Sequence, residues 1–393
     1  MAQVISKIGR KGEEISLLKR IARAPIAPPF FLVGILAGFI GTTYHGVHLW
    51  MQLSGQMTLG EDFVFLRKAH SAGQLLLFFG AFVSGFLLQA MPKLVETSRL
   101  RPLGAILLLP VFVVGAVLIF SKPFSPVGYW LIAFHFLVVT ILALWFAALA
   151  PRHALYRSGL PIAWATAWLS AGALMDLSYP ISGLLIFWGT FIPLIEVTIR
   201  RVFFGLIGID SEKNRISADL ASLYLGAAIC GAVFLAVQLT LFWWLFAILT
   251  SLTVILYATR RLSKNAFKLG PFPFAFWAGM VWLFVGSLLL FKGPESADAA
   301  LHTWATGLAL PLVLVVAPQV IRGHMGIQVF TTRAHLILLI LWQLVPLARG
   351  PGRIFPFPGW TSTVIGALTA LVLLIWSFAM CAALIRGWMK RKT

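Results

Sequence analysis

The fold class is decided by residues 220–259, LASLYLGAAICGAVFLAVQLTLFWWLFAILTSLTVILYAT, which contain no Asp, Glu, Lys or Arg. A helix needs about 20 consecutive apolar residues to cross a bilayer, so this stretch is too long for one crossing and suits two. Gln238 and Thr240 interrupt its apolar character near the middle. The stretch therefore predicts two transmembrane helices joined by a short turn at 238–240.

The rest of the chain is similarly apolar and contains further runs long enough to cross a bilayer. Of its 393 residues, 60% are hydrophobic and 11% are charged, and the mean hydropathy is +0.93. Soluble domains of this length do not have such a composition. The sequence predicts an all-α, polytopic membrane protein, a single bundle of about 12 transmembrane helices. The apolar runs of spanning length are residues 27–51, 71–92, 102–120, 127–150, 160–178, 180–199, 220–239, 241–259, 271–291, 299–321, 333–349 and 361–386.

The two ends of the chain are basic and are expected to lie outside the bundle. Residues 1–23 contain no apolar core long enough for a cleavable signal peptide, and residues 1–26 form the predicted N-terminal segment. Ile15, Leu18 and Ile21 recur there at helical spacing, which favours a cytoplasmic amphipathic segment on the membrane surface; a disordered basic tail is the alternative. Residues 27–386 are the predicted transmembrane domain, followed by a cytoplasmic basic tail at 387–393.

The net charge is +19, and the positions of the Lys and Arg residues along the chain predict the membrane topology. With the N-terminus in the cytoplasm, 25 of the 31 Lys and Arg residues fall in cytoplasmic segments and six in outer segments. Positive charge concentrates on the cytoplasmic side of membrane proteins, so the distribution predicts both termini in the cytoplasm. The expected partner of the basic residues is the lipid bilayer with its anionic headgroups, and not nucleic acid.

This topology places Lys122 outside the cytoplasm and Lys268 inside it. We expect single cysteines, Lys122→Cys and Lys268→Cys, to react with a membrane-impermeant maleimide from opposite sides of the membrane. The native Cys230 and Cys381 lie in apolar runs, so the unsubstituted protein should stay unlabelled and serves as the control. Equal reactivity of both variants from the cytoplasmic side would contradict the topology.

Five histidines are expected in the outer half of the bilayer, namely His45, His48, His70, His135 and His302. Ionisable side chains inside lipid are costly, and they usually face the bundle interior and mark a functional site. Imidazole is also the commonest metal ligand in proteins. The placement of these residues therefore predicts a metal or redox centre buried in the outer half of the membrane.

His45 and His48 are three residues apart and are expected on one face of the first helix. Such a pair suits a metal ion or the edge of a porphyrin, so both are candidate cofactor-binding residues. A pair of interfacial histidines wetted by headgroup water is the alternative. His135 is the deepest of the five, and a buried imidazole at that depth needs a hydrogen-bond partner or stays neutral.

His70 and His302 begin helices at the same predicted level, and both are candidate ligands of haem or of a metal ion. Arg67, close to His70, makes a solvated helix cap the alternative reading of that residue. If His302 is a ligand, its second ring nitrogen needs a hydrogen-bond acceptor. Thr306, one helical turn further on, is the residue that we expect in this role.

His324 ends the helix that His302 begins. The two histidines are 22 positions apart, which corresponds to roughly 33 Å along a helix, so they cannot bind one metal ion. His324 is therefore the candidate metal ligand of a second, inner site. Arg322 beside it is a candidate cofactor-binding residue that suits a haem propionate, with a lipid phosphate as the alternative partner.

Four short segments follow the pattern of one known family. Residues 69–73 (AHSAG) and 84–92 (SGFLLQAMP) match a family segment that runs from Trp-His-x-His-Glu to Gly-Phe-Leu-Leu-Thr-Ala. Residues 302–307 (HTWATG) and 322–326 (RGHMG) match its His-Ala-Leu-Thr-x-Gly and Gly-His-Thr-Gly at the same spacing. On these segments, and on shorter similarities elsewhere along the chain, the protein resembles the NnrS family.

The resemblance implies a haem- and copper-containing protein of the bacterial inner membrane, linked to denitrification and the nitric-oxide response. The first family histidine falls on His70. The second histidine and the glutamate of that motif fall on Ala72 and Gly73. These departures imply a divergent member, in which His45 and His48 are available to replace the missing ligands.

The resemblance favours a protein that binds haem b and/or copper and responds to nitric oxide. Two other classes of function stay open. A transporter for a metal, haem or a small solute is favoured by the number of helices and by Pro311 and Pro318 within one of them. A quinol-linked oxidoreductase subunit is the other alternative. The small number of intramembrane carboxylates for proton transfer weakens that alternative.

Overall fold

The computed structural model describes residues 26–53, 55, 57–97, 105, 107–177, 179–198, 218–261, 270–354 and 359–390. This part of the chain consists of helices and connecting turns without a β-strand, so the predicted all-α class is confirmed. The α-helices are Ala27–Gly38, Gly46–Leu53, Phe63–Ala72, Phe79–Leu94, Leu108–Ser121, Pro126–Leu149, Arg152–Ala154, Leu160–Gly172, Pro180–Ile186, Ile192–Thr198, Ala218–Val237, Thr240–Arg261, Pro271–Leu289, Ala297–Trp304, Leu310–Met325, Thr332–Trp342, Leu344–Arg349, Pro351–Ile354 and Gly359–Lys390.

Eight helices in this part of the chain are long and apolar enough to cross a membrane. They are Ala27–Gln52, Phe63–Leu94, Pro126–Leu149, Pro180–Thr198, Thr240–Thr259, Pro271–Lys292, Pro294–Met325 and Val364–Lys390. Leu108–Ser121 and Ser222–Val237 are apolar but shorter. The predicted number of about 12 spanning helices is therefore not confirmed. One reason is that breaks such as the one after Trp342 divide a predicted run into two short helices.

The uncharged stretch 220–259 forms two helices, as predicted. Ala218–Val237 and Thr240–Arg261 pack against each other and are joined by a two-residue turn. Gln238 in this turn has a φ angle of 54°, in the left-handed region, which allows the chain to reverse within so few residues. The polar residues at 238 and 240 thus mark the boundary between the two helices.

Four of the long helices contain a π-helical segment, in which the backbone hydrogen bonds span five residues instead of four. The segments are Phe39–His45, Gly73–Phe78, Phe187–Phe191 and Ala305–Ala309. Such segments are rare and occur frequently at functional sites. They also change the direction in which the following side chains point, which the 3.6-residue period of the sequence does not show.

The first two long helices cross closely at Gly41 and Gly73. A Cβ atom on Gly41 would lie 3.3 Å from the Cα atom of Gly73, and one on Gly73 would lie 3.2 Å from the Cα atom of Gly41. Small residues at such a crossing allow two backbones to approach. The crossing brings the Gly41 carbonyl within reach of side chains on the second helix.

The predicted amphipathic segment lies outside the described residues except for Ile26, and so does Lys268. At the other end, the last helix continues to Lys390, so the first four residues of the predicted basic tail are helical. The location of both termini in the cytoplasm stays a prediction.

Candidate functional site

A cavity of about 320 Å³ lies between helices that are far apart in the sequence. Its lining comes mainly from the first two long helices, from Pro180–Thr198, from Pro294–Met325, from the segment between Trp342 and Arg349 and from the last helix. His70 and His302 both line it. Two of the predicted ligands therefore share one site, which we call the histidine cavity.

The ring of His70 is held by the first helix. Because a carbonyl oxygen can only accept, Nδ1 of His70 carries the proton and donates it to the Gly41 carbonyl at 2.7 Å. Gly46 leaves room for this ring, since a Cβ atom there would lie 2.9 Å from the Cε1 atom of His70. With the proton on Nδ1, the lone pair on Nε2 is the one available to a metal ion.

The π-helical segment Phe39–His45 explains how the Gly41 carbonyl serves this ring. The N–H group of Gly46 reaches back five residues to the same carbonyl, as π-helical geometry requires. A carbonyl oxygen has two lone pairs, so it can accept from Gly46 and from His70 together. Local backbone geometry and the close helix crossing thus fix the orientation of one candidate ligand.

His302 is oriented by its own helix. Its Nδ1–H group donates to the carbonyl of Asp298, one turn earlier, at 2.8 Å. Its Nε2 atom accepts a hydrogen bond from the guanidinium group of Arg349 at 3.1 Å. The expectation that Thr306 accepts from the ring is wrong. The Thr306 hydroxyl donates to the His302 carbonyl at 2.6 Å, as helical threonines often do.

Two arginines and one carboxylate give the histidine cavity its charge, namely Arg67, Arg349 and Asp298. The Asp298 Oδ1 atom also lies 3.4 Å from Nδ1 of His302. His302 and Arg349 are close enough to His70 to interact with it electrostatically. Arg349 is 47 residues away from His302, and nothing in its local sequence indicates that it belongs to a site.

His45 and His48 lie beside the histidine cavity and do not belong to its lining. The ring of His45 is buried, with the ring centroid of Phe120 at 5.6 Å, and its Nδ1 atom has no hydrogen-bond partner among the described residues. His48 is directed to Gln52, at 3.4 Å, and to Asp62, at 4.0 Å. The Tyr44 ring contacts both histidines, at centroid distances of 5.3 Å from His45 and 6.4 Å from His48, and their predicted role as ligands stays a prediction.

His324 and Arg322 lie at the opposite end of Pro294–Met325 from His302, and both are exposed. The helix runs without a break between the two ends, so the separation expected from the sequence is present. Neither residue lines the histidine cavity. A metal ligand at His324 and a cofactor-binding residue at Arg322 would belong to a second, inner site, and both roles stay predictions.

Two other buried histidines have partners that account for their burial. In His135, Nδ1–H donates to the Leu108 carbonyl at 3.3 Å and Nε2 accepts from the Ser84 hydroxyl at 2.9 Å. In His335, Nε2–H donates to the Leu314 carbonyl at 3.0 Å. Both ring nitrogens of His135 are thus occupied, and a structural role explains this residue.

Within the described ranges, no three His, Cys, Asp or Glu side chains are placed to hold a metal ion together. The histidine cavity provides two imidazoles, with two arginines beside them. Haem needs one or two axial ligands from the protein, whereas copper sites are usually built from three or more. The donor set therefore fits haem better than copper.

The helices and this cavity define a polytopic membrane protein with a pair of histidines facing one interior site. A family model described as NnrS protein matches residues 28–389, nearly the whole chain. The chain belongs to the NnrS family, as the resemblance of its histidine segments predicted. No curated protein matches the chain.

Proposed function

We propose that this protein binds haem b, with copper as a second candidate, in the bacterial inner membrane and acts in the nitric-oxide response or in denitrification. One observation carries the cofactor part of the proposal. His70 and His302, from two different helices, line one cavity with each Nδ1–H group bonded to a backbone carbonyl. Metal-bound histidines generally make this second hydrogen bond, which fixes the ring and raises the basicity of the ligating nitrogen.

The size and charge of the histidine cavity also support haem. A volume of about 320 Å³ falls in the range of cofactor pockets, roughly 300 to 1,000 Å³. Arg67 and Arg349 suit the carboxylates of haem propionates, because a guanidinium group pairs well with a carboxylate. The Nε2 atom of His70 would hold the iron, and His302, whose Nε2 atom accepts from Arg349 at 3.1 Å, would lie in the same cavity.

The link to nitric oxide is supported by membership of the NnrS family. Haem iron held by histidine supplies a coordination position at which diatomic molecules bind. The residues of this chain would hold the iron, fix the two imidazole rings and neutralise the propionates. The low polarity of the surrounding bundle would limit access of water to the site.

The test of the cofactor is an absorption spectrum and a metal analysis of the full chain. We expect protein purified from haem- and copper-replete cells to show a Soret band that shifts on reduction, or stoichiometric copper. Membranes from cells with an empty vector, treated in the same way, are the control. Protein with neither signal would refute the proposal.

A transporter for a metal, haem or a small solute is the second candidate function. It is favoured by the π-helical and proline-containing segments beside the cavity, since departures from a regular α-helix occur frequently at functional sites. This function needs no stable cofactor. It would show as substrate-dependent flux in vesicles that contain the purified protein.

A further inference from the structure

A second cavity, of about 110 Å³, lies between helices, is partly open at the surface of the bundle and differs in character from the histidine cavity. Of the described residues that line it, only Thr198 is polar. Phe86, Val313 and Val316 in its lining are half-buried, so this cavity borders the lipid-facing side of the bundle. We call it the apolar cavity.

Phe79 forms a wall that the two cavities share. Its side chain lines both of them and is 2% exposed. The ring packs against Phe78 and Phe191, with centroid distances of 5.0 and 4.9 Å. On the facing helix, Leu310 lines the histidine cavity and its neighbour Ala309 lines the apolar cavity. Phe79, with Ala309 and Leu310 on the facing helix, therefore lies between the polar site and the apolar one.

We propose that the apolar cavity binds small uncharged molecules, namely apolar diatomic gases, that enter from the bilayer, and that Phe79 separates them from the histidine cavity. A buried water needs two to four polar partners, which this lining does not offer. A dry engineered cavity of about 150 Å³ with an apolar lining binds xenon and benzene, so the size is suitable.

The size of the apolar cavity also limits its occupants. At about 110 Å³ it is well below the roughly 300 Å³ of the smallest cofactor pockets, which excludes haem. Its lining carries no charge to hold an ion. Binding of a gas in the apolar cavity does not depend on the proposed function. Delivery of that gas past Phe79 to a cofactor in the histidine cavity does rest on it.

Xenon is the probe that tests this binding site, because it is apolar, about as large as a diatomic gas and visible by anomalous scattering. We expect crystals of the full chain, pressurised with xenon, to show one anomalous peak in contact with Phe82 and Val313. The absence of a peak would overturn the proposal. Continuous tubular density from an acyl or detergent chain in the cavity would overturn it as well.

A cavity-filling variant makes the test specific. Ala317 is buried and lines the apolar cavity, so Ala317→Leu should fill it and remove the xenon peak. Ala382 is exposed on the last helix, and Ala382→Leu is the matched control that should keep the peak. If Ala317→Leu does not fold, Val316→Ile adds less volume to the same cavity and should lower the xenon occupancy. Undiminished xenon in the filled variants would contradict the assignment.

The role of Phe79 is tested by Phe79→Ala. Removal of the ring should join the two cavities, so that the xenon peak extends towards Leu310, while the unsubstituted protein confines it to the apolar side. A peak that stays confined in Phe79→Ala would contradict the shared wall. None of these readouts depends on haem, so their failure is distinguishable from the absence of a Soret band.

Discussion

The haem content of His70→Ala is expected to fall by at least about tenfold relative to the unsubstituted protein. Loss of a residue that merely supports a ligand typically lowers metal affinity by roughly 10- to 100-fold, and loss of the ligand itself should cost no less. His70 is the residue for which the structure leaves Nε2 available, because its Nδ1–H group is bonded to the Gly41 carbonyl at 2.7 Å. The measurement is the Soret absorbance per mole of purified protein.

His153→Ala is the matched control for this variant. His153 is exposed and pairs with Glu96 at 3.0 Å, away from the histidine cavity, so its loss should leave the Soret band unchanged. Added imidazole should partly restore the band in His70→Ala, because it can occupy the space of the missing ring. Equal elution volume and helix content would show that the fold is intact. A Soret band in His70→Ala as strong as in His153→Ala would contradict the assignment.

The second large effect is a difference in cofactor content between two variants of one helix. His302→Ala should lose substantially more cofactor than His324→Ala, because only His302 shares a cavity with a second histidine. The two variants make the same chemical change in Pro294–Met325 and differ in which end of the helix it affects. They should therefore be compared under identical expression and purification conditions.

The measurement is the amount of haem and of copper per mole of protein, determined side by side for His302→Ala and His324→Ala. Loss of His302 also leaves the Arg349 guanidinium without the Nε2 acceptor that it has at 3.1 Å. Melting curves of both variants should therefore accompany the cofactor measurement, so that loss of ligation is separated from loss of stability. Equal retention of cofactor in the two variants would show that the paired histidines do not form its site.

The departures from the family motif lie at positions that do not face the histidine cavity. Ala72 is fully buried in a separate apolar cluster with Leu76 and Phe112. Gly73 lies at the helix crossing, where a Cβ atom would come within 2.9 Å of the Phe120 ring. A glutamate does not fit there without a shift of its neighbours. The loss of these two side chains thus leaves the pair of His70 and His302 in place.

The pair at 45 and 48 lies where the first long helix departs from regular α-helical geometry. An i, i+3 spacing predicts a common face on an α-helix. His45, however, ends the π-helical segment Phe39–His45, whose wider turns alter the angular position of each side chain. Its ring is buried against Phe120, while His48 is directed to Asp62. Tyr44 contacts both rings, so a common role of His45 and His48 stays a prediction.

The sequence by itself determined the properties that depend on local composition. The uncharged stretch 220–259 predicted two helices and the turn at Gln238, because burial of apolar side chains and internal backbone bonding act over a few turns. His70 and His302 do not begin their helices as predicted, because these helices start seven and eight residues earlier, at Phe63 and Pro294. Membership of the NnrS family was readable from short segments around these histidines.

Only the tertiary structure decided which of these residues meet. The histidine cavity forms because helices distant in sequence pack together, and the Gly41 carbonyl reaches His70 only through a close crossing of two helices. Arg349 reaches His302 from a different segment for the same reason. Such contacts depend on how whole helices pack, and helix packing is set by the shape of many side chains together, so no short sequence pattern encodes it.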